Sequence, residues 1–179
     1  MFKAVFLDRD GTIVEDVGYM KSPSQINFLP GAIDAIKKLK DNGFKVIVIT
    51  NQSGIARDLL SEEDFKMITA EIDRQLLANG AKIEATYHCP HHPKQADPCE
   101  CRKPNPGMIL KAAKEHQIDL KSSFMIGDKD LDVECGQRAG TKSIRLASEY
   151  EMKQDLLPDY IAKDLPQAVE WIMALSSNG

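Results

Sequence analysis

Near the start of the chain stands Lys3-Ala-Val-Phe-Leu-Asp8-Arg9-Asp10-Gly11-Thr12, an apolar run that ends abruptly in charged and polar residues. A short and continuously apolar run of this kind is typical of a strand buried on both faces of a parallel sheet. Two carboxylates follow this strand in a turn that contains a glycine. We therefore expect the side chains of Asp8 and Asp10 to lie together at the carboxyl end of the strand.

The rest of the chain alternates between apolar runs and amphipathic segments. Further strands are predicted over residues 44–50, 83–87, 123–127 and 142–146. Helices are predicted between Pro30 and Gly43, from a capping box at Ser61 to about residue 79, from a cap at Asn105-Pro106 to about residue 116, and over 131–139 and 165–175. Because strands alternate with helices, the sequence predicts an α/β fold with a mainly parallel sheet. We expect a single domain over residues 1–179, since one domain takes roughly 150 residues.

Composition restricts the classes of function. The 179 residues include 23 Lys and Arg and 27 Asp and Glu, a net charge of −4, and 42% are hydrophobic. Because no sustained basic cluster is present, we expect no nucleic-acid partner. No run approaches the ~20 apolar residues that cross a bilayer, and Asp8 interrupts the apolar start before a signal peptide could form. We therefore expect a cytoplasmic monomer that acts on a small molecule, without a membrane partner.

Ligands of parallel sheets bind beyond the carboxyl ends of the strands, so the residues that follow each strand matter most. Thr50-Asn51-Gln52-Ser53-Gly54 follows the second strand and Gly127-Asp128-Lys129-Asp130 follows the fourth. Two carboxylates as close as Asp8 and Asp10 repel each other unless a divalent cation lies between them. Mg²⁺ suits such oxygen ligands, and Asp128 would complete its site. The alternatives are a solvated acidic turn and a helix cap at Asp128.

Two cations, Arg102 and Lys103, precede the third helix. Positive side chains at this edge of the sheet would neutralise a phosphoryl group as its charge shifts in the transition state. The alternative is a pair of solvated surface charges.

A metal site is also indicated between the third strand and the third helix. Cys89-Pro-His91 and Cys99-Glu-Cys101 supply four soft or borderline ligands, enough for a closed tetrahedral Zn²⁺ site. Such a zinc would be structural and would pin the loop of about residues 88–104. Because His88 and His92 flank His91, the sequence leaves open which imidazole binds. Cys135 lies on a predicted helix and is expected in the core.

The order and spacing of these segments resemble the four motifs of the haloacid dehalogenase superfamily of phosphatases. The matching residues are Asp8-x-Asp10-Gly-Thr, Thr50, Lys103 and Gly127-Asp128-x-x-x-Asp132. The resemblance implies a Rossmann-like haloacid dehalogenase fold with helices on both faces of the sheet. It also implies that Asp8 is a nucleophile forming an aspartyl-phosphate and that Asp10 is the general acid and base. Thr50 and Lys103 would hold the phosphoryl oxygens, and Mg²⁺ would be bound by Asp8, Asp128 and the backbone carbonyl of Asp10.

Within the superfamily, the zinc loop is similar to that of two groups, one acting on a heptose bisphosphate and one on histidinol phosphate. The segments that resemble the first group, nearly end to end, are Asp16-Val-Gly18-Tyr19, Thr50-Asn-Gln-Ser-Gly-Ile-Ala-Arg57, Cys89-Pro-His-His-Pro93, Cys101-Arg-Lys-Pro104 and Pro106-Gly-Met108. This resemblance implies removal of the C7 phosphate during nucleotide-heptose synthesis for lipopolysaccharide or other surface glycans. The stretch between His91 and Cys99 is nearer in length to the second group, so histidinol phosphate stays the alternative substrate. The resemblance implies substrate contacts from Asp16, Gly18, Tyr19, Asn51, Gln52, Ser53, Arg102 and Lys129, and it implies no large cap domain.

Two other classes of protein share some of these features. A signalling receiver also clusters acids after its first strand, but its phosphoacceptor aspartate follows the third strand, where this sequence has Tyr87-His88-Cys89. A zinc-binding interaction module would explain the cysteines alone. It would leave the acids after the first and fourth strands unexplained.

Overall fold

The computed structural model describes residues 1–92, 94 and 99–177. Six strands form one sheet in the order β3-β2-β1-β4-β5-β6, and every pairing between them is parallel. The strands are β1 (Ala4–Leu7), β2 (Lys45–Asn51), β3 (Ala85–Cys89), β4 (Phe124–Gly127), β5 (Lys142–Leu146) and β6 (Tyr160–Ala162). The helices are α1 (Ala32–Asp41), α2 (Glu62–Ala78), α3 (Gly107–His116), α4 (Asp130–Ala139) and α5 (Leu165–Ser177), and two short 3₁₀ turns cover Pro23–Gln25 and Leu120–Ser122.

The central strand β1 is covered by helices on both faces. Its alternate side chains point to opposite sides, so that Val5 and Leu7 pack with the buried residues of α1, α2 and α5, whereas Ala4 and Phe6 pack with those of α3 and α4. All four side chains are fully buried. The predicted α/β fold, with its parallel sheet and two helical layers, is therefore confirmed.

Local signals fixed most of the element boundaries. The capping box at the start of α2 is confirmed, since Ser61 Oγ accepts the Asp64 N–H at 3.0 Å and Asp64 Oδ2 accepts the Ser61 N–H at 2.8 Å. Cys135 is fully buried in the core, as predicted. Of the predicted cap Asn105-Pro106, Pro106 is the N-cap residue of α3, but the side-chain cap expected from Asn105 is wrong: its amide donates to the Cys99 carbonyl at 2.8 Å and no side chain caps the helix.

Two further differences concern β3 and β6. Strand β3 begins two residues later than predicted, and β6 was not predicted because its apolar run is only three residues long. Part of the predicted zinc loop, residues 93 and 95–98, lies outside the described residues, as do residues 178–179. The short stretch between His91 and Cys99 falls mostly in that part.

The chain order of the strands reverses at β1, which has β2 on one side and β4 on the other. A crevice opens at such a reversal, beyond the carboxyl ends of the strands. Asp8 follows β1, Thr50 is the second-last residue of β2 and Asp128 follows β4, so all three reach this crevice. Among the residues that the structure describes, no helix has both the length and the apolar character needed to span a membrane.

Candidate active site

A buried lysine links two of the acids at the crevice. Lys103 is 2% exposed, and its Nζ lies 2.8 Å from Asp8 Oδ1 and 2.6 Å from Asp132 Oδ1 while donating to the Ile49 carbonyl at 2.8 Å. Burial lowers the pKa of Lys103, but the charges of Asp132 and Asp8 outweigh it and raise the pKa above its usual range. The ammonium therefore stays charged beside the Asp8 carboxylate.

A third acid completes a negatively charged floor. Oxygens of Asp8, Asp128 and Asp132 lie within 4.8 Å of one another. Burial, with a further contribution from Asp8, raises the pKa of Asp128 to about 6, and Asp128 Oδ1 is buried without a hydrogen-bond partner. Gly11 approaches so closely that a Cβ there would lie 2.4 Å from Asp128 Oδ2. Only glycine fits this turn, which also has a positive φ of 81°.

These acids fit a magnesium ion. Three carboxylates face one another, yet only Asp8 and Asp132 are in contact with the Lys103 ammonium. The buried and unpartnered Asp128 oxygen needs a positive partner, since an isolated buried carboxylate is costly. Hard oxygen donors in this arrangement are what Mg²⁺ takes in proteins.

Asp10 stands on the other side of Asp8 in a hydrogen-bond network. Arg9 Nε and Nη2 donate to its two oxygens at 3.0 and 2.9 Å, and Gln52 Nε2 donates to Oδ2 at 3.0 Å. The same Gln52 nitrogen donates to Thr50 Oγ1 at 2.9 Å. Burial raises the pKa of Asp10 above its usual range, and the charge of Arg9 opposes this rise. The network joins the general acid expected from the resemblance to the end of β2.

An open cleft of about 190 Å³ lies above these groups. Its lining residues are Asp8, Asp10, Asp16, Gly18, Thr50, Asn51, Ser53, Arg102, Lys103, Lys129 and Leu131. A cavity of about 380 Å³ shares several of these residues and adds Tyr19, Gln52, Gly54 and Tyr150. Every residue predicted for catalysis or substrate binding thus lines one of two adjoining cavities, which share Asp10, Asp16, Gly18, Asn51 and Ser53.

The outer wall of the cleft is held by charged pairs. Lys129 Nζ lies 2.8 Å from Asp16 Oδ2 and 4.9 Å from the centre of the Tyr150 ring. Burial lowers the pKa of Lys129, but the hydrogen bond to Asp16 and the negative charges of Asp128, Asp8 and Asp16 together outweigh it and leave the pKa above its usual range. Arg57 Nη1 donates to the hydroxyl of Tyr19, a residue of the second cavity, at 2.6 Å. Lys129 thus lines the cleft itself, whereas Arg57 contacts a residue that lines the adjoining cavity.

Two of the expected substrate ligands also make contacts within the protein. Both side-chain amide atoms of Asn51 bond the backbone of Lys103, and Arg102 Nη1 donates to the His91 carbonyl at 3.1 Å. Arg102 therefore joins the cleft to the segment that carries the cysteines. The contacts of Asn51 and Arg102 with substrate stay predictions.

The cysteine and histidine ligands predicted for zinc come together. The Cys101 sulfur lies 3.0 Å from that of Cys89 and 3.4 Å from that of Cys99, and 3.3 Å from His91 Nδ1. The Cys89 sulfur lies 3.7 Å from that of Cys99 and 3.6 Å from His91 Nδ1. These two separations match the edge of a tetrahedron around Zn²⁺, about 3.8 Å between sulfurs, and those of Cys101 are shorter. All three cysteines are free thiols.

The structure also separates the three neighbouring imidazoles. His88 Nε2 contacts Glu62, and His92 Nδ1 accepts the Lys94 N–H at 3.2 Å. Only His91, among the described histidines, faces the three cysteine sulfurs. The geometry therefore supports His91 as the fourth ligand.

Several residues of the site were given no role by the sequence. Asp132 belonged to a recognised motif, but its salt bridge with Lys103 depends on a partner 29 positions earlier in the chain. Tyr150 lies in the loop after β5, where nothing in the sequence marked it. Arg145 is buried, and its guanidinium donates to the backbone carbonyl of Asp128 and to that of Tyr150, the latter at 3.1 Å. Its position at the end of a buried strand was the one signal available.

Known proteins match this chain in both sequence and structure. A family model described as haloacid dehalogenase-like hydrolase matches residues 5–94, and a HAD-hydrolase-like model matches residues 100–168. The fold, the crevice and these matches define the class: the chain belongs to the haloacid dehalogenase-like hydrolases.

The relatives within this class are phosphatases. The D-glycero-beta-D-manno-heptose-1,7-bisphosphate 7-phosphatase of Yersinia pestis is 41% identical and covers 93% of this chain and 95% of its own length. A D-glycero-alpha-D-manno-heptose-1,7-bisphosphate 7-phosphatase of Photorhabdus laumondii is 42% identical over 77% of this chain and 78% of its own. The prediction of a phosphatase is confirmed, and the histidinol-phosphate alternative gains no support.

A solved structure agrees with this result. The crystal structure of D,D-heptose 1,7-bisphosphate phosphatase from B. bronchiseptica, complexed with magnesium and phosphate, matches with a TM-score of 0.87 at 30% identity. The match covers 97% of this chain and 99% of that one. The expected magnesium dependence is thus supported by a relative that binds the ion.

Proposed function

We propose that this chain is a Mg²⁺-dependent phosphatase that removes the C7 phosphate of D-glycero-D-manno-heptose 1,7-bisphosphate. The observation that carries the proposal is the position of Asp8, which lies on the floor of an open cleft between the Lys103 ammonium and the Asp128 carboxylate. The names of the relatives support the choice of substrate. The product would serve the synthesis of nucleotide-activated heptose for lipopolysaccharide or another surface glycan.

The first step transfers the phosphoryl group to Asp8. A carboxylate oxygen of Asp8 attacks phosphorus, the bond from phosphorus to the C7 oxygen breaks, and its electron pair stays on that oxygen. Asp10 donates its proton to the leaving oxygen, which departs as the sugar hydroxyl. Lys103 and the Thr50 hydroxyl stabilise the phosphoryl oxygens as charge develops on them.

The second step returns the enzyme to its starting state. Asp10, now ionised, takes a proton from a water molecule whose oxygen attacks the phosphorus of the aspartyl-phosphate. The bond between phosphorus and Asp8 breaks, and inorganic phosphate leaves through the cleft. The Gln52 amide holds both Asp10 and Thr50, so the proton-transfer group and the phosphate-binding hydroxyl keep a fixed separation.

Two metal ions belong to the proposal, with separate tasks. Asp8, Asp128 and the backbone carbonyl of Asp10 would hold Mg²⁺, which when bound neutralises the charge of the phosphoryl oxygens. Cys89, His91, Cys99 and Cys101 would hold a structural Zn²⁺ with no position open to water. The zinc would fix the segment that leads directly to Arg102 and Lys103.

The expected setting also remains part of the proposal. The free thiols of the cysteine cluster suit a reducing compartment, which favours the cytoplasm. We propose a monomer that forms a single domain over residues 1–179, without a large cap domain, so that the cleft stays open to a phosphorylated sugar. No nucleic-acid or membrane partner is part of the proposal.

The test is the position of the phosphate that is released. Purified enzyme with Mg²⁺ is given each anomer of the heptose bisphosphate, and ³¹P NMR follows the products. The expected result is inorganic phosphate with the C1 phosphate retained. Release from C1 would overturn the assignment. Histidinol phosphate serves as the competing substrate, and a higher kcat/KM for it would transfer the function to histidine synthesis.

A further inference from the structure

One buried charge at the site has no task in the proposed mechanism. Arg9 is 3% exposed and lies between the nucleophile and the general acid in the sequence. Its Nε and Nη2 donate to the two oxygens of Asp10, and its Cζ lies 5.7 Å from the centre of the Phe65 ring. A planar guanidinium that bonds both oxygens of a carboxylate fixes the rotation of that carboxylate as well as its place.

The remaining nitrogen of Arg9 faces a small pocket against α2. Arg9 Nη1 is buried and has no hydrogen-bond partner, and the same holds for Thr69 Oγ1 and Asp73 Oδ1 on α2. All three residues line one pocket of about 10 Å³. Burial raises the pKa of Asp73 above its usual range. One donor and two acceptors therefore share a space that has the volume of a single water, for which about 10–15 Å³ is needed.

We propose that Arg9 is a positioning residue for Asp10, and that a water in this pocket forms hydrogen bonds with Arg9, Thr69 and Asp73. Through this water-mediated contact, called the brace below, helix α2 would hold Arg9 and so the general acid in place. Two of the guanidinium's three nitrogens hold Asp10, and the third is held through the water from the helix. The inference rests on the proposed function, because it assigns Arg9 a task only if Asp10 transfers protons.

The position of Asp10 matters most when the leaving group is a strong base. An alkoxide or phenoxide leaves only as its oxygen is protonated, whereas a dinitrophenoxide leaves without a proton. Loss of the two hydrogen bonds from Arg9 lets the Asp10 carboxyl rotate away from the leaving oxygen. We therefore expect kcat/KM to fall most for poor leaving groups, since this ratio reports the steps up to departure of the leaving group.

The first experiment compares wild type, Arg9→Ala and Arg9→Lys on a series of aryl phosphates from phenyl phosphate to dinitrophenyl phosphate. Arg9→Ala should lower kcat/KM for phenyl phosphate by roughly 10- to 100-fold, the range expected for a misplaced proton donor, but by less than about 3-fold for dinitrophenyl phosphate. Arg9→Lys should recover part of the loss, because it keeps the charge but lacks the fork. An equal loss across the series would mean a purely structural role and would overturn the proposal.

The second experiment tests the brace without altering Arg9. Asp73→Asn and Thr69→Val should each give the same pattern on a smaller scale, about 3- to 10-fold for phenyl phosphate. Glu71→Gln is the matched control, since it removes a carboxylate from α2 that pairs with the exposed Arg74. If Arg9→Ala does not fold, these variants decide the question alone, and wild-type behaviour in both would overturn the brace.

A high-resolution crystal structure should show a water between Arg9 Nη1 and the α2 side chains, and a pocket without one would refute the contact through water.

Two further outcomes separate this inference from the proposed function. If wild type hydrolyses none of the phosphate esters, the proposed function fails and takes the task of Arg9 with it. If wild type is active and the Arg9 variants lose nothing, the inference alone fails.

Discussion

The side-chain amide of Asn51 is bonded twice to the backbone of Lys103. Its Nδ2 donates to the Lys103 carbonyl at 3.2 Å, and its Oδ1 accepts the Lys103 N–H at 3.0 Å. The last residue of β2 therefore fixes the backbone of a residue 52 positions later in the chain. The Lys103 side chain is fixed in turn by Asp8, Asp132 and the Ile49 carbonyl.

The first prediction follows from this pair. Asn51→Ala leaves the Lys103 backbone free to shift, and a shift of about 1 Å in a charge-stabilising group costs up to ~100-fold in rate. We expect kcat/KM to fall about 10- to 100-fold for every phosphate ester, including aryl phosphates. Asn79→Ala is the matched control, because its amide bonds only the exposed end of α2. Unchanged activity in Asn51→Ala would contradict the role assigned to the contact.

The second prediction concerns the nucleophile. Asp8→Asn should abolish turnover, since an amide neither attacks phosphorus nor carries the charge that pairs with Lys103. Asp10→Asn should keep substrate binding but lose about 10²- to 10⁴-fold in kcat, the value of general acid–base catalysis. Steady-state kinetics and circular dichroism check both, with Asp41→Asn as the control on the exposed end of α1. Turnover by Asp8→Asn above a few per cent of wild type would exclude the covalent mechanism.

The sequence predicted the acids of the site better than the contacts that hold them. Asp8 and Asp128 were found because each follows a buried strand, and the carboxyl ends of parallel strands meet at one edge of the sheet. The pair of hydrogen bonds between Asn51 and the Lys103 backbone was not predicted, and neither was the bidentate contact of Arg9 with Asp10. Such contacts depend on distance in three dimensions and on which side-chain atom points inward, and neither follows from spacing.

The third prediction concerns the cysteine cluster. Protein purified without chelator should contain about one zinc per chain, and Cys99→Ser or Cys101→Ser should lower both the zinc content and the Tm, the latter by roughly 5–15 °C. KM should rise, because Arg102 is bonded to the His91 carbonyl. Cys135→Ser is the control for zinc content, since Cys135 lies outside the cluster and its loss should leave the bound zinc unchanged. Absence of zinc from wild type would refute the site.

The fourth prediction uses the raised pKa of Asp128. Burial raises this pKa to about 6 in the folded chain from an ordinary 3.8, so without metal the contribution of Asp128 to stability becomes less favourable as the pH rises from about 4 to about 6. Mg²⁺ competes with that proton. The rise in Tm caused by Mg²⁺ should therefore be small at about pH 5 and large at about pH 8. Thermal unfolding with and without Mg²⁺ measures it.

The control for this titration is Asp128→Asn, which removes the proton-binding group. It should remove most of the rise in Tm at both pH values. An equal rise in wild type at both would contradict a magnesium site that includes Asp128.

The last prediction concerns recognition of the part of the substrate that does not react. Asp8, Thr50 and Lys103 treat any phosphate ester alike, so discrimination has to come from groups farther along the cleft. Arg102 lines this cleft and commits only Nη1 to the His91 carbonyl, which leaves its other nitrogens to bond phosphate or sugar oxygens. Tyr19 lines the adjoining cavity, so Arg102 and Tyr19 can both reach the part of the substrate that does not react.

Arg102→Ala should therefore lower kcat/KM for heptose 1,7-bisphosphate by about 10- to 100-fold, while the loss for phenyl phosphate stays below about 3-fold. The reason is that phenyl phosphate has no distal oxygens for the guanidinium to hold. Arg74→Ala, an exposed arginine paired with Glu71, is the matched control. Zinc content is measured in the same variant, because a displaced His91 segment would lower it. An equal loss on both substrates with zinc retained would place Arg102 among the groups that serve every phosphate ester, and would remove it from those that select the sugar.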